Sequence, residues 1–260
     1  MKPLAELRGA GRLRGLLFDI DDTLTTAGRL TAQAYSALER LKQSERIAIA
    51  VTGRPAGWCD HIARMWPVDA VVGENGAFYF RRENGKLSKR YHDADAVRAG
   101  KRARLAAIAQ RILASVPGCA LASDHAYRET DLAIDYCEDV APLPLEAAER
   151  IASAMRAAGL NAKISSIHVN GWFGGYDKLM MSKILFAEKF ATDLDAVNAQ
   201  YAYAGDSPND APMFAYFENS IGVANIARFA GCLPAPPKYV TQAHAGAGFA
   251  ELVSHLLGER

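Results

Sequence analysis

The chain has 260 residues, half of them hydrophobic and 23% charged, with 30 basic against 29 acidic side chains. That length allows one large core, or a main domain carrying an insertion. The balanced charge gives no reason to expect a nucleic-acid or membrane partner, and the cluster Lys101, Arg102 and Arg104 reads as a solvated helix face. From Gly15 to Ile20 the chain reads as a short apolar strand, and the pattern from Thr31 to Leu41 puts Tyr35, Leu38 and Leu41 on one helical face. The strand-like RIAIAVTGR, the helical GWCDHIARMW and the apolar VDAVVGENGA follow. Strand, helix, strand, helix, strand is the order of a parallel sheet covered on both sides.

After about Phe80 the order changes. RRENGKLSKRYHD carries the Asn84-Gly85 hairpin signal, RLAAIAQRILASV is a helix, and DLAIDYCED alternates like a half-exposed strand. LEAAERIASAMRAAG is a helix again and LNAKISSIHVNGWF a strand. KLMMSKILFAEKF, QYAYAGD and SIGVA then resume the first order. The expected fold is α/β: a Rossmann-like core from residues 1–80 and 175–260, interrupted by an α+β cap over 81–174. Hinges are expected near Phe80 and at Gly174-Gly175. Cys59, Cys119, Cys137 and Cys232 show no metal-type spacing and read as free thiols. MKPLAELRGAGRLRG has positive charge but no apolar region before a cleavage site, so a cytoplasmic location is expected.

In such a sheet, sites form beyond the carboxyl ends of the strands. FDIDDTLT puts Asp19 and Asp21 at one of those ends, two apart and therefore aimed to the same side. Two close carboxylates repel unless they share a cation or one holds a proton, and the shared cation suits Mg²⁺. AVTGR offers the Thr52 hydroxyl with the amides of Gly53 and Arg54, and YAGDSPND offers Asp206, Asn209 and Asp210. GGYDKLMMSK adds Lys178 at a helix N-terminus. Carboxylates for a metal, a hydroxyl, a lysine and free amides make a site for phosphoryl transfer.

In order and spacing FDIDDTLT, VTGRP, DKLMMSKIL and AGDSPNDAPMF resemble the four motifs of the haloacid dehalogenase-like (HAD) superfamily of aspartate-nucleophile phosphatases. GENGA and an insertion between the second and third motifs resemble subclass IIB, with its large α/β cap of the C2B type. That subclass holds the Cof-type and sucrose-phosphatase-like enzymes and phosphomannomutase. The resemblance implies Asp19 as nucleophile and Asp21 as acid and then base. It implies Thr52 on a phosphoryl oxygen and Lys178 neutralising charge. Mg²⁺ would be held by Asp19, the Asp21 backbone carbonyl and Asp206, with Asp210 behind it or acting through water.

Gly53, Arg54, Asn75 and Asn209 are expected around the substrate, and Arg128, His168 and Trp172 are candidate cap contacts. Lys183 reads as a solvated helix position, His125 and His244 as structural, and Met180 and Met181 as core. The expected activity is Mg²⁺-dependent hydrolysis of a small phosphate monoester, foremost a sugar phosphate. The alternatives are a phosphomutase and a non-catalytic phosphometabolite-binding protein. The partner is a small phosphorylated metabolite, and oligomeric state is not legible.

Overall fold

The computed structural model describes residues 1–231 and 233–259, so Cys232 lies outside the described residues; Cys59, Cys119 and Cys137 are free. With strands numbered in chain order, a nine-stranded sheet contains β1 (Lys2–Pro3), β2 (Gly15–Phe18), β3 (Ile47–Val51), β4 (Ala70–Gly73), β5 (Phe78–Glu83) and β6 (Lys86–Tyr91). It is completed by β11 (Tyr201–Gly205), β12 (Asn219–Gly222) and β13 (Tyr239–Val240). Their spatial order is β1-β13-β12-β11-β2-β3-β4-β5-β6, parallel as far as β4 and antiparallel for the last two pairs.

The period of two along each strand divides the core. Leu16, Phe18, Ala48 and Ala50 lie beneath α1 (Ala32–Gln43), α2 (Ala56–Met65) and α8 (Ala245–Leu257). Leu17, Ile49, Val51 and Tyr203 lie beneath α5 (Lys178–Phe190), α6 (Leu194–Val197) and α7 (Ala211–Tyr216). Each fully buried large apolar side chain contributes about 1.5–3 kcal/mol. Local signals agree with this packing: the Thr31 hydroxyl caps α1 by accepting from the Ala34 amide at 3.2 Å.

The insertion forms a second, antiparallel sheet, ordered β7 (Ala120–Leu121), β8 (Asp131–Asp135), β10 (His168–Trp172), β9 (Asn161–Ile164). On one face Leu132, Ile134, Val169 and Ile164 pack under α3 (Asp95–Ser115) and α4 (Leu145–Ala157). The alternate residues, Asp131, Asp135, His168 and Asn170, are polar yet buried, because that face meets the larger domain. The fold is thus a Rossmann-like α/β core with an inserted α+β cap.

One boundary needs correction. The hairpin around Asn84-Gly85, expected to open the cap, is β5–β6 and extends the larger sheet. Phe78 and Phe80 stack at 4.3 Å between centroids and meet Tyr91, which holds the hairpin to the core. Phe80 is fully buried within that sheet and is no hinge. The chain crosses instead near Asp93 and near Phe173. Lys101 ties the crossings together: its ammonium pairs with Asp93 and donates to the Phe173 carbonyl at 2.8 Å, while Arg104 stacks on the Phe173 ring. Lys101 is therefore an internal clasp, not part of a solvated face. Among the described residues no helix is long and apolar enough to cross a membrane.

Candidate active site

Asp19, Thr52 and Asp206 each follow the last residue of a parallel strand, β2, β3 and β11 respectively. The Asp19 amide donates to Ala204 O at 2.9 Å and the Thr52 amide to Val72 O at 2.9 Å, so the ladder fixes where each side chain leaves the sheet. Lys178, the first residue of α5, reaches the same point. Its Nζ lies 2.7 Å from Asp19 Oδ1 and 2.7 Å from Asp210 Oδ1, with all three groups buried. The helix starts there because Asp177 caps it, accepting from the Met180 amide at 2.8 Å. Gly76 sets its approach: its φ is +105°, and a Cβ there would lie 2.0 Å from Asp177 O.

Asp210 is saturated. Oδ1 accepts from Lys178 and from the Tyr203 hydroxyl at 2.5 Å, while Oδ2 accepts from the Asp206 and Ser207 amides at 3.1 and 3.3 Å. It aims Lys178 and holds the loop. Asp206 differs: Oδ2 receives Asn225 Nδ2 at 3.3 Å, but the buried Oδ1 has no hydrogen-bond partner. One oxygen from each of Asp19, Asp206 and Asp210 lies within 4.8 Å of the others. Burial raises the Asp19 carboxyl from 3.8 to about 8 against the opposing pull of Lys178, and burial with the neighbouring Asp19 and Asp210 raises Asp206 well above the usual range. Three buried carboxylates face one buried ammonium, with the half-exposed Arg228 3.7 Å from Asp206. An all-oxygen set with excess negative charge and an orphaned oxygen fits a hard divalent cation.

Asp21 lies beside this cluster in the fork of Arg54. Arg54 Nε is 3.1 and 2.9 Å from the two Asp21 oxygens, and Nη2 is 2.9 Å from Oδ1. The other side of the guanidinium meets the cap: Nη1 contacts Asp124 Oδ2 at 3.1 Å, and Nη2 contacts Glu138 Oε1 at 2.5 Å. Glu138 Oε2 lies 2.8 Å from His168 Nε2, an ion-pair distance without hydrogen-bond alignment. Burial alone would raise the Glu138 carboxyl; His168 and Arg54 hold it down at about 2. Its loop is built by Asp135, which accepts the amides of Cys137, Glu138 and Asp139 at 2.7–2.9 Å.

Asp19, Asp21, Gly53, Arg54, Ser207 and Asn209 line the core side of a cavity of about 10 Å³. The cap supplies Ser165, Ser166, Ile167, His168 and Asn170. Such a space holds about one water, so the cap is closed. His168 and Asn209, expected near the substrate, both line this cavity. Thr52 is buried behind Gly53, its hydroxyl accepting from the Arg54 amide at 3.0 Å and donating to no described residue. Asn75, at φ +56°, lies behind the same loop: its amide donates to Thr52 O at 3.1 Å and its side chain abuts Gly53, so it buttresses the loop.

Other expectations change. Arg128 is no open substrate contact, since its guanidinium is held by Asp124, Asp131 and, at 2.9 Å, the Gly53 carbonyl. It joins cap to core. Trp172 packs in the core cluster and donates to Tyr176 O at 3.0 Å. Met181 is buried, but Met180 is 41% exposed and not core. Lys183 pairs with Asp195 at 2.7 Å on the surface. The sequence did not single out Glu138, Asp124, Ser166 or Tyr203. Alternation along β8 and β10 signals the polar cap face. Tyr203 carries no such signal, reading only as an apolar strand residue.

Residues 16–102 match the haloacid dehalogenase-like hydrolase family. No curated protein matches the sequence. A crystal structure from Thermoplasma acidophilum is similar at TM-score 0.69 and 17% identity, over 94% of this chain and 98% of that one. The sucrose-phosphatase of Synechocystis, solved with sucrose and phosphate, is similar at 0.60 and 16%, over 94% and 98%. A HAD subclass IIB sugar phosphatase is similar at 0.60 and 14%, over 93% and 98%.

Proposed function

We propose that this chain, a HAD-like hydrolase acting on phosphate monoesters, hydrolyses a small sugar phosphate through an aspartyl-phosphate on Asp19. The observation that carries the reading is the Asp19–Lys178–Asp210 arrangement at the strand ends, with Asp206 beside it and its Oδ1 unpartnered. Mg²⁺ is the proposed cofactor, held by Asp19, the Asp21 carbonyl and Asp206 with Asp210 behind; when bound it supplies positive charge against the phosphoryl oxygens.

The residues divide the work. Lys178 offsets the repulsion between Asp19 and an incoming phosphate, about 4 kcal/mol for two unit charges 4 Å apart at an effective dielectric of 20. An Asp19 oxygen bonds to phosphorus as the ester P–O bond breaks, and Asp21 gives its proton to the departing oxygen. Asp21 then takes a proton from water as the water oxygen bonds to phosphorus, and Asp19 is released. The Thr52 hydroxyl, with its proton uncommitted, and the loop at Gly53 are suited to the phosphoryl oxygens. The cap opens to admit substrate and excludes bulk water when closed.

The test is phosphate release from sugar phosphates, nucleotides and phosphoglycolate-like acids, in Mg²⁺ or EDTA, with Asp19→Asn as control. Metal-dependent release that falls at least 10³-fold in a folded Asp19→Asn protein is expected, an order-of-magnitude figure for losing a nucleophile. Equal release by the variant refutes the nucleophile. Isomerisation without release would make the enzyme a phosphomutase, and binding without turnover a binding protein.

A further inference from the structure

The guanidinium of Arg54 is a junction between three carboxylates. From the core it grips both oxygens of Asp21; from the cap it is gripped by Asp124 and Glu138, while its Cζ lies 4.3 Å from the centroid of the Trp58 ring. Arg54 Nη2 is the shared atom, 2.9 Å from Asp21 Oδ1 and 2.5 Å from Glu138 Oε1. A fork fixes a carboxylate in rotation as well as distance, because both oxygens are engaged. Arg54 and Asp21 belong to the core, whereas Glu138 belongs to the cap loop folded around Asp135. The complete junction therefore exists only with the cap closed.

We infer that Glu138 is a positioning residue: through Arg54 it sets the Asp21 carboxyl for proton donation to the leaving oxygen, so that acid catalysis is completed by cap closure. The inference rests on the phosphatase reading above and assigns it a cap residue. During transfer the ester P–O bond breaks as the Asp19 O–P bond forms, and the departing oxygen takes the Asp21 proton. An alkoxide leaving from a sugar or glycerol ester needs that proton. A 4-nitrophenoxide leaves with its own charge delocalised and does not.

Leaving-group dependence therefore isolates the effect. General-acid catalysis contributes about 10²–10⁴-fold, and a residue acting through Arg54 should control part of it. Glu138→Ala is expected to lower kcat/KM for hexose 6-phosphates and glycerol phosphate by about 10–100-fold. For 4-nitrophenyl phosphate the loss should stay below about threefold, a change too small for a lost proton donor. Glu138→Gln, which keeps the side chain's length but loses its charge-assisted hold on Arg54, should show the same selective loss. An equal fall for both ester classes would mean a merely structural role and overturn the inference, as would no fall for either. The aryl ester reports the chemistry independently: if the unaltered enzyme with Mg²⁺ turns over neither class, the phosphatase reading fails and this inference falls with it.

Discussion

Replacing Lys178 by Met keeps the length of the side chain and removes its charge from a buried cluster. The ammonium lies 2.7 Å from an oxygen of both Asp19 and Asp210, and it is 2% exposed. Removing one partner of such a group costs about 3–5 kcal/mol, a large share of a typical stability of about 5–15 kcal/mol. With a urea dependence of about 3 kcal/mol per molar, the unfolding midpoint should fall by about 1–1.7 M at pH 7 in EDTA. The pH dependence carries the sharper test. Asp19 binds its proton with a midpoint of about 8 when folded and 3.8 ordinarily. Between those values the folded chain holds a proton on Asp19 that the unfolded chain lacks, so the Asp19 contribution to metal-free stability is fullest below pH 4 and declines towards pH 8. Without Lys178 the Asp19 midpoint rises further and the decline continues past pH 8. The gap between the two proteins should then widen by up to about 1.4 kcal/mol per pH unit from pH 8 to 9.5. A midpoint shift below about 0.3 M, or a gap that does not widen, would refute the buried pairing of Lys178 with Asp19 and Asp210 on which this reasoning depends.

Gly76→Ala should lower stability by about 3 kcal/mol or more, because the new Cβ would meet the Asp177 carbonyl at a strained φ; an unchanged urea midpoint would contradict the close approach. Asp206→Asn should weaken Mg²⁺ binding at least tenfold by calorimetry, about 1.4 kcal/mol. The same change should raise metal-free thermal stability, since a buried carboxylate with no partner for Oδ1 is gone. Equal Mg²⁺ affinity would remove Asp206 from the metal site.

The order of strands and helices in the core was legible because each strand is short, apolar and followed by a helix of clear period. The strand-end residues were legible because their chemistry is dense and ordered along the chain. The hairpin at Asn84-Gly85 was assigned to the wrong domain, since a turn signal tells where two strands meet and not which sheet they join. Arg128 read as a substrate contact and Lys101 as a solvated cation; what occupies each is nearby carboxylate together with one carbonyl from a distant segment, Gly53 for Arg128 and Phe173 for Lys101. Glu138 was hidden for the same reason. Within CEDVAP it reads as one acid in a polar turn, and only closure against Arg54 gives it a task.

The Lys101 clasp bears on how the cap can travel. A lid suspended from two independent cords can slide sideways as readily as it lifts. Here one ammonium knots both cords close to the lid's own long helix, α3, by holding Asp93 and the Phe173 carbonyl together. Such a knotted pair would serve as a single pivot, with displacement growing with distance from it. Asp124 and Glu138 are carried by the same lid, so its lifting about that pivot would release Arg54 from both in the same stroke.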